Sequence, residues 1–504
     1  MKINIILIIL LLGVIYRLFL TAGGSFLFNM DSARDMVAVR EMVVLKQLRL
    51  SGPGTAIDGL FNGPAWYYLL AIPFIFSKGD PYASIVGQII LWVIGGFYLL
   101  KIVSKWSFLL IFPIGFLWIA SNYIGLMTSY AFNPNPVALL TPLFVYLLSQ
   151  YIENKKFIYG ALSAFLGGLF FNFEMSFGVF IPLVIILSIF IINRSIFKSI
   201  KFYLAFLFYL FCLLPQIIFD YKHNFIMSGA IAAHLNRETK SLIFLNRFEE
   251  IKSNFYNVFI PTLFNSKLLS NLILLLSIPV LFKFFKIVKK DSVVIISLLY
   301  IFVPFVGFLF LPVTVNPWHL GGPMTAAIIL VGFIIKKLGE FNLSAKFISF
   351  VLIISILYFS FFNIAKFFIK DRTTLNMDPS LFKNEIAAVD FVYKRAKGAN
   401  FKVYTYLPSV YDYPYQYLFW WYGKKTYGYI PEEYAYLPNK PKYIPSQDKF
   451  QSQKTNMSNL VFLIKEPDRN YTRSGWEGNF INLVPVGKYM VGPIEIEERL
   501  MLNK

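Results

Sequence analysis

Residues 28–68, FNMDSARDMVAVREMVVLKQLRLSGPGTAIDGLFNGPAWYY, decide how the chain is read. They place Asp31, Asp35, Glu41 and Asp58 beside Arg34, Arg40, Lys46 and Arg49, directly after the apolar run Ile3 to Leu20. Charge next to hydrocarbon is costly, about 3 kcal/mol for a side chain held at mid-bilayer, so a dense charged stretch here calls for a functional or interfacial reason.

Working outward, the 504-residue chain is 57% hydrophobic and 19% aromatic, with only 15% charged residues and a mean hydropathy of +0.60. That composition excludes a soluble globule and indicates a polytopic membrane protein. The single cysteine, Cys212, rules out an intrachain disulfide and a cysteine-based metal cluster. The first apolar run lacks a convincing small-x-small cleavage pattern and reads as a retained signal anchor. The net charge of +20 raises the question of nucleic acid, which the positions of the charges answer against.

Spans of about 17–25 residues fall near 3–20, 81–100, 106–121, 137–152, 157–172, 177–193, 202–219, 268–285, 292–311, 322–336 and 347–365, about eleven transmembrane helices. Alternate connections hold the bases: Lys101 and Lys105; Lys155 and Lys156; Arg194, Lys198 and Lys201; Lys283, Lys286, Lys289 and Lys290; Lys336, Lys337 and Lys346. The intervening connections 121–136, 172–177 and 312–323 hold no Lys or Arg. The insertion bias for positive loops then sets the N-terminus inside. Outer loop 21–80, the 220–267 connection and everything past 366 lie outside, in an inner (plasma) membrane. Two domains result: a transmembrane domain over 1–365 and a small extracytoplasmic α/β domain over 366–504.

Within the outer loop, Asp31 to Leu50 reads as a helix, with Ser32 and Asp35 spaced as a capping box and Gly52–Pro53 closing it. Its apolar stripe suggests a helix lying in the interface plane. Ala65 to Phe76 is too short and too proline-interrupted for a span and reads as half-inserted. The 121–136 connection contains Tyr130 to Pro136, YAFNPNP, which reads as an irregular extended segment enforced by Asn133 and two prolines. Past 366 a helix is expected at 380–397 and strands at 401–406 and 459–464, around a stretch with twelve tyrosines from Tyr404 to Tyr443.

Asp31 and Asp35 are one turn apart and would project from one helix face. A carboxylate there suits a general base that takes a proton from an attacking hydroxyl or amine. Arg34, Arg40 and Arg49 suit a phosphate. The plainer alternative is that an aspartate caps the helix and the arginines meet lipid headgroups. Glu174 is the only acid in the 172–177 turn. His319 reaches the outer surface in VNPWHLGGP and suits an anionic group or a structural bond. Asp220 and His223 suit an interfacial structural role, and the tyrosines suit sugar stacking, a core or a membrane belt. Neither G-x-G-x-x-G nor Walker A occurs, so an activated donor would come through the membrane rather than as a soluble nucleotide.

The acidic MDSARDM loop after the first span, the following GLFNGPAWYYLL and the span count resemble the membrane-embedded GT-C glycosyltransferases, of the protein mannosyltransferase, lipid A aminoarabinose transferase and rhizobial galacturonosyltransferase type. The resemblance implies transfer of one sugar from a polyprenyl-phosphate donor to a lipid, glycan or protein acceptor at the outer membrane face. It implies a catalytic Asp35 or Asp31, with Asp35 favoured as the base because Asp31 is the more obvious helix start, and donor phosphate contacts from Arg34, Arg40 and His319. Glu174, Asp58, Tyr67 and His223 are acceptor-side or secondary candidates. The order Trp318–His319 and then Pro323 departs from the family's basic–aromatic–proline order, and DSARD separates two acids that relatives place side by side. No cofactor is implied and no metal ligand is assigned; a divalent metal stays open. The other readings are a lipid-linked glycan ligase or polymerase, using 220–267 with His234, Arg237 and Lys240, and a non-enzymatic lipid flippase or transporter, which calls for ionisable groups deep in the spans.

Overall fold

The computed structural model describes residues 2–238, 244–256, 264–368, 377–438, 443–450, 459–469 and 471–501. Every apolar run expected to span is helical. Among the described residues eight helices are long and apolar enough to cross a membrane: Lys2–Gly24, Tyr82–Trp106, Asn135–Asn154, Met175–Ile192, Ile200–Lys222, Ser292–Phe310, Pro317–Gly339 and Leu343–Lys366. The pair Phe108–Ala120 and Asn122–Ser129, bent by 52°, makes a ninth. The remaining two segments are 17-residue helices, Phe157–Phe173 and Lys267–Lys283. The 220–267 connection contributes helices Ile226–Glu238 and Phe244–Asn254; Lys240 and the side chain of Arg237 lie outside the described residues.

Exposed apolar side chains such as Phe211, Ile278 and Phe350 cover the outside of the bundle. The centre is held by Asn135–Asn154 and Pro317–Gly339, whose apolar windows are almost wholly buried. Within the 121–136 connection, residues 122–129 are helical after the bend at Ser121, the irregular backbone expected around Asn133 lies between Ser129 and Asn135, and Asn135 already begins the next helix. A break at membrane depth frees carbonyls that must find donors. Arg17, fully buried in the first helix, donates from Nη1 to Ile119 O (3.1 Å) and from Nη2 to Trp118 O (3.2 Å). Its guanidinium lies 4.0 Å from the Trp92 ring. Asn265 and Asn363 donate to Ala120 O at 2.9 and 2.6 Å. A cation at a helix C-terminus also complements the dipole.

The C-terminal domain is built on a five-stranded sheet in the order β2-β1-β3-β5-β4. β1 (Lys402–Tyr406), β2 (Glu433–Ala435) and β3 (Leu460–Lys465) are parallel, while β4 (Leu483–Val491) and β5 (Ile494–Met501) form an antiparallel hairpin on β3. The continuous apolar run Val461–Ile464 is what a strand buried on both faces requires. The expected helix is Phe382–Ala396, and the tyrosine-rich stretch contributes a second, Tyr413–Tyr422.

This domain is stitched to the charged stretch. Phe28 N–H donates to Ser380 O (2.9 Å) and Phe382 N–H to Phe26 O (3.0 Å), while Leu27 N–H donates to Ser129 O (3.0 Å). Residues 26–28 thus run as a short extended tie between the bent helix and the C-terminal domain.

Candidate functional site

The charged stretch is a helix over Met30–Val44, shorter than expected. Its N-cap is Asn29, whose side chain accepts from the backbone N–H of Asp31 and Ser32. The capping box expected from Ser32 and Asp35 does not form, because Ser32 donates to Ala131 O (2.9 Å) and Asp35 points inward. Nor does the helix float in the interface: it is buried between Ala65–Ser77 and Tyr413–Tyr422, with Met36, Val39 and Met42 in the core. With the cap supplied by Asn29, both aspartates are released for other partners.

Arg34 links them. Its Nη1 donates to Asp31 Oδ1 and its Nε to Asp35 Oδ1, both at 2.9 Å. Asp35 Oδ2 accepts from Trp66 Nε1 at 2.7 Å. Burial drives the Asp35 carboxyl up to about 6, against the opposing pull of Arg34 and the Trp66 bond, and Asp31 adds to the rise. Asp31 differs in access: its side chain is 28% exposed whereas that of Asp35 is closed off, and its Oδ2 meets only the Tyr130 hydroxyl at a long 3.4 Å.

The NGP of GLFNGPAWYY positions Trp66. Asn62 Oδ1 accepts from Met175 N–H (3.1 Å), and Gly63 N–H donates to Asn172 O (3.0 Å). A Cβ on Gly63 would fall 1.9 Å from Asn172 Oδ1, so only glycine fits this approach. The chain then turns at Pro64 into the Ala65–Ser77 helix, which is short as expected and packs on the charged helix.

Glu174 and His319 meet each other, with His319 Nε2 3.7 Å from Glu174 Oε1 and both buried. His319 Nδ1 accepts from Asn316 N–H (3.1 Å), which leaves the ring proton on Nε2, facing the carboxylate. Burial raises Glu174 to about 7, opposed by its bonds from Ser176. Aromatic contacts join this pair to the aspartates on both sides. Trp66 meets Phe173 edge-on at 6.5 Å; in the other direction Trp318 meets Phe132 at 5.8 Å, and Phe132 stacks on Tyr130 at 5.0 Å. Asp31, Arg34, Asp35, Trp66, Phe173–Glu174, His319–Trp318, Phe132 and Tyr130 therefore close into one ring of contacts. Two of its members, Trp66 and Tyr130, carried no signal in sequence beyond their residue type.

The other candidates lie elsewhere. Arg40 is buried beneath the C-terminal domain, its guanidinium 3.9 Å from the Phe450 ring and 5.2 Å from Trp420. Glu41 beside it pairs with Arg49 and accepts from Ser446. Tyr67 is buried with its ring 5.6 Å from the Arg49 guanidinium. Asp58 is exposed at the tip of the 52–61 loop. His223 is exposed and hydrogen-bonds Phe219 O of its own helix (2.8 Å). Asp220 holds the backbone N–H of Met227 and Ser228, and His234 donates to Pro312 O (2.7 Å).

With this geometry in view, comparison with solved structures is decisive for the fold. ArnT from Cupriavidus metallidurans, solved bound to undecaprenyl phosphate and in the apo state, superposes with a TM-score of 0.59 over 98% of this chain and 97% of that one. The fold is that of ArnT. Sequence identity is 10%, and no family model and no curated protein matches by sequence. The polytopic helical membrane fold with a small C-terminal α/β domain expected from the sequence is the one found. It is an integral membrane architecture with a C-terminal sheet domain.

Proposed function

We propose that this chain is a GT-C-type glycosyltransferase that moves one sugar from a polyprenyl-phosphate donor to an acceptor hydroxyl or amine. The observation that carries the reading is the Asp31–Arg34–Asp35 unit within the ring of contacts, in a chain with the fold of a protein that binds undecaprenyl phosphate. Asp31 is the general base, since a base must reach the proton it takes and Asp31 is the open carboxylate of the pair. The acceptor oxygen or nitrogen attacks the anomeric carbon and its proton passes to Asp31. The bond from anomeric carbon to phosphate oxygen breaks, and the polyprenyl phosphate departs with the bonding electrons. Arg34 and the Nε2–H of His319 are the donors offered to that phosphate. Asp35 is a positioning residue that aims Arg34 and is itself aimed by Trp66.

The bases of the alternate loops support an inside N-terminus, with the site and the C-terminal domain on the outer side. The test is transfer in membranes from a lipid-linked donor by the Asp31→Asn and Asp35→Asn variants. Full activity in both singles and in the double variant would sink the reading. A transporter calls for ionisable groups deep in the spans that face a pathway, whereas the buried Arg17 is engaged by backbone carbonyls at a helix break.

A further inference from the structure

The tyrosine-rich stretch is more than core. Tyr415 and Tyr417 are buried, yet Tyr411, Tyr413 and Tyr443 form a cluster that reaches the surface, with Tyr413 and Tyr443 half-buried and Tyr411 45% exposed. Tyr411 and Tyr413 lie nearly parallel (5.9 Å, 25°), and Tyr443 stands edge-on to both, at 5.3 and 5.1 Å. The cluster sits in the loops that follow β1 and β2, at the carboxyl ends of parallel strands, where open α/β sheets form their ligand crevices.

The backbone there is held in an unfavourable conformation. Val410 has φ = +69°, which a β-branched residue rarely adopts, and it is half exposed. Asp412 pins the far side: its Oδ2 accepts from Thr405 Oγ1 and Gln416 Nε2, both at 3.1 Å, and its N–H donates to the Tyr443 hydroxyl at 3.3 Å. Strain that persists because the surroundings dictate it is characteristic of ligand clamps. The Tyr413–Tyr422 helix packs along the acidic helix, and Tyr417 meets Phe28, just ahead of that helix, at 5.7 Å.

We propose that Tyr411, Tyr413 and Tyr443 form a saccharide platform, on which the apolar face of a pyranose ring rests beside the Asp31–Arg34–Asp35 unit. Tyrosine suits this because the ring offers a flat apolar face and the hydroxyl a polar edge. The proposal rests on the transferase reading and deepens it: the ring belongs to a glycan acceptor or to the sugar of the donor.

The experiment uses the full-length protein in lipid nanodiscs with cellotriose, chitotriose and mannotriose as probes, read by saturation-transfer NMR. Transfer to ring C–H protons of at least one trisaccharide is expected, weakened about five- to tenfold by Tyr411→Ala and by Tyr443→Ala and retained by Tyr411→Phe. No transfer to any of the three, or equal transfer in the alanine variants, would overturn the platform. Quenching of a Tyr411→Trp variant by brominated lipid would also overturn it, by placing the cluster in the bilayer. A saturating polyprenyl-phosphate-linked sugar separates the sources: a surviving trisaccharide signal assigns the platform to the acceptor, and displacement by that lipid but not by undecaprenyl phosphate assigns it to the donor sugar. Failure of undecaprenyl phosphate to bind would instead strike the transferase reading and leave the platform standing.

Discussion

Two groups of carboxylates in this molecule are each gathered around a cation and behave in opposite ways. At the carboxyl end of the central strand β3, Glu477, Glu495 and Glu497 surround the buried Lys465, whose Nζ lies 2.7 Å from Glu477 and 3.0 Å from Glu495 and also contacts Glu497. Arg473, Arg499 and Lys488 add further cations. Burial alone would raise Glu495, but bonds from Arg473, Lys465 and Lys488 outweigh it and hold the carboxyl down at about 2. Asp31 and Asp35 share one arginine, and burial wins at Asp35. Saturating a carboxylate with cations fixes it as structure, whereas rationing them leaves it able to exchange a proton.

The sharpest break of that contrast is Asp31→Asn. Loss of a general base lowers transfer by about 10²- to 10⁴-fold, measured as initial rate in membranes at matched protein level; a drop under twofold would remove Asp31 from the chemistry. Next is Lys465→Met, which strands three glutamates around a buried site. It should destabilise the C-terminal domain by about 3–5 kcal/mol, read by thermal unfolding and proteolysis of the full chain, and unchanged stability would mean that the network is ornamental.

Third, Arg34→Ala removes charge-assisted bonds worth about 1.5–3 kcal/mol and should weaken undecaprenyl phosphate binding about 10- to 100-fold. Arg40→Ala should instead lower thermal stability with little change in binding, since Arg40 faces Phe450 and Trp420. Equal binding losses would erase the distinction. The smallest effect is in pH. Asp35 is charged only above about 6, so transfer should decline as pH falls through that value. For stability the signs are opposed. Glu495 is depressed, so its contribution is present above the ordinary carboxylate range and lost as pH falls toward 2. Asp35 is raised, so its contribution is present below the ordinary range and lost as pH rises through 6. A flat transfer profile between pH 5 and 8 would take Asp35 out of the picture.

Hydropathy was enough to locate all eleven apolar segments, because burial in hydrocarbon leaves a local signature. It did not show that one of them breaks at Ser121 and continues as a second helix to Ser129. The acidic stretch was legible as a site because charge beside a span is conspicuous. Its partners were not: Trp66 is 31 residues from Asp35 and Tyr130 is 99 from Asp31, and contacts so distant leave no periodicity. Glu174 and His319 were each noticed alone, and only folding paired them. Asn29 was overlooked as the cap although it is a favoured capping residue, because Ser32 offered a matching motif whose hydroxyl is engaged by Ala131.

The capping of the helix break by Arg17 sets a schedule for biogenesis. Arg17 leaves the ribosome 101 residues ahead of the Trp118 carbonyl that receives it. At about 5–20 residues per second the first helix therefore waits on the order of 5–20 seconds with its guanidinium unanswered. During that interval it must be sheltered, by the translocon or by the interface, and packing of the first helix becomes permanent only when the broken one arrives.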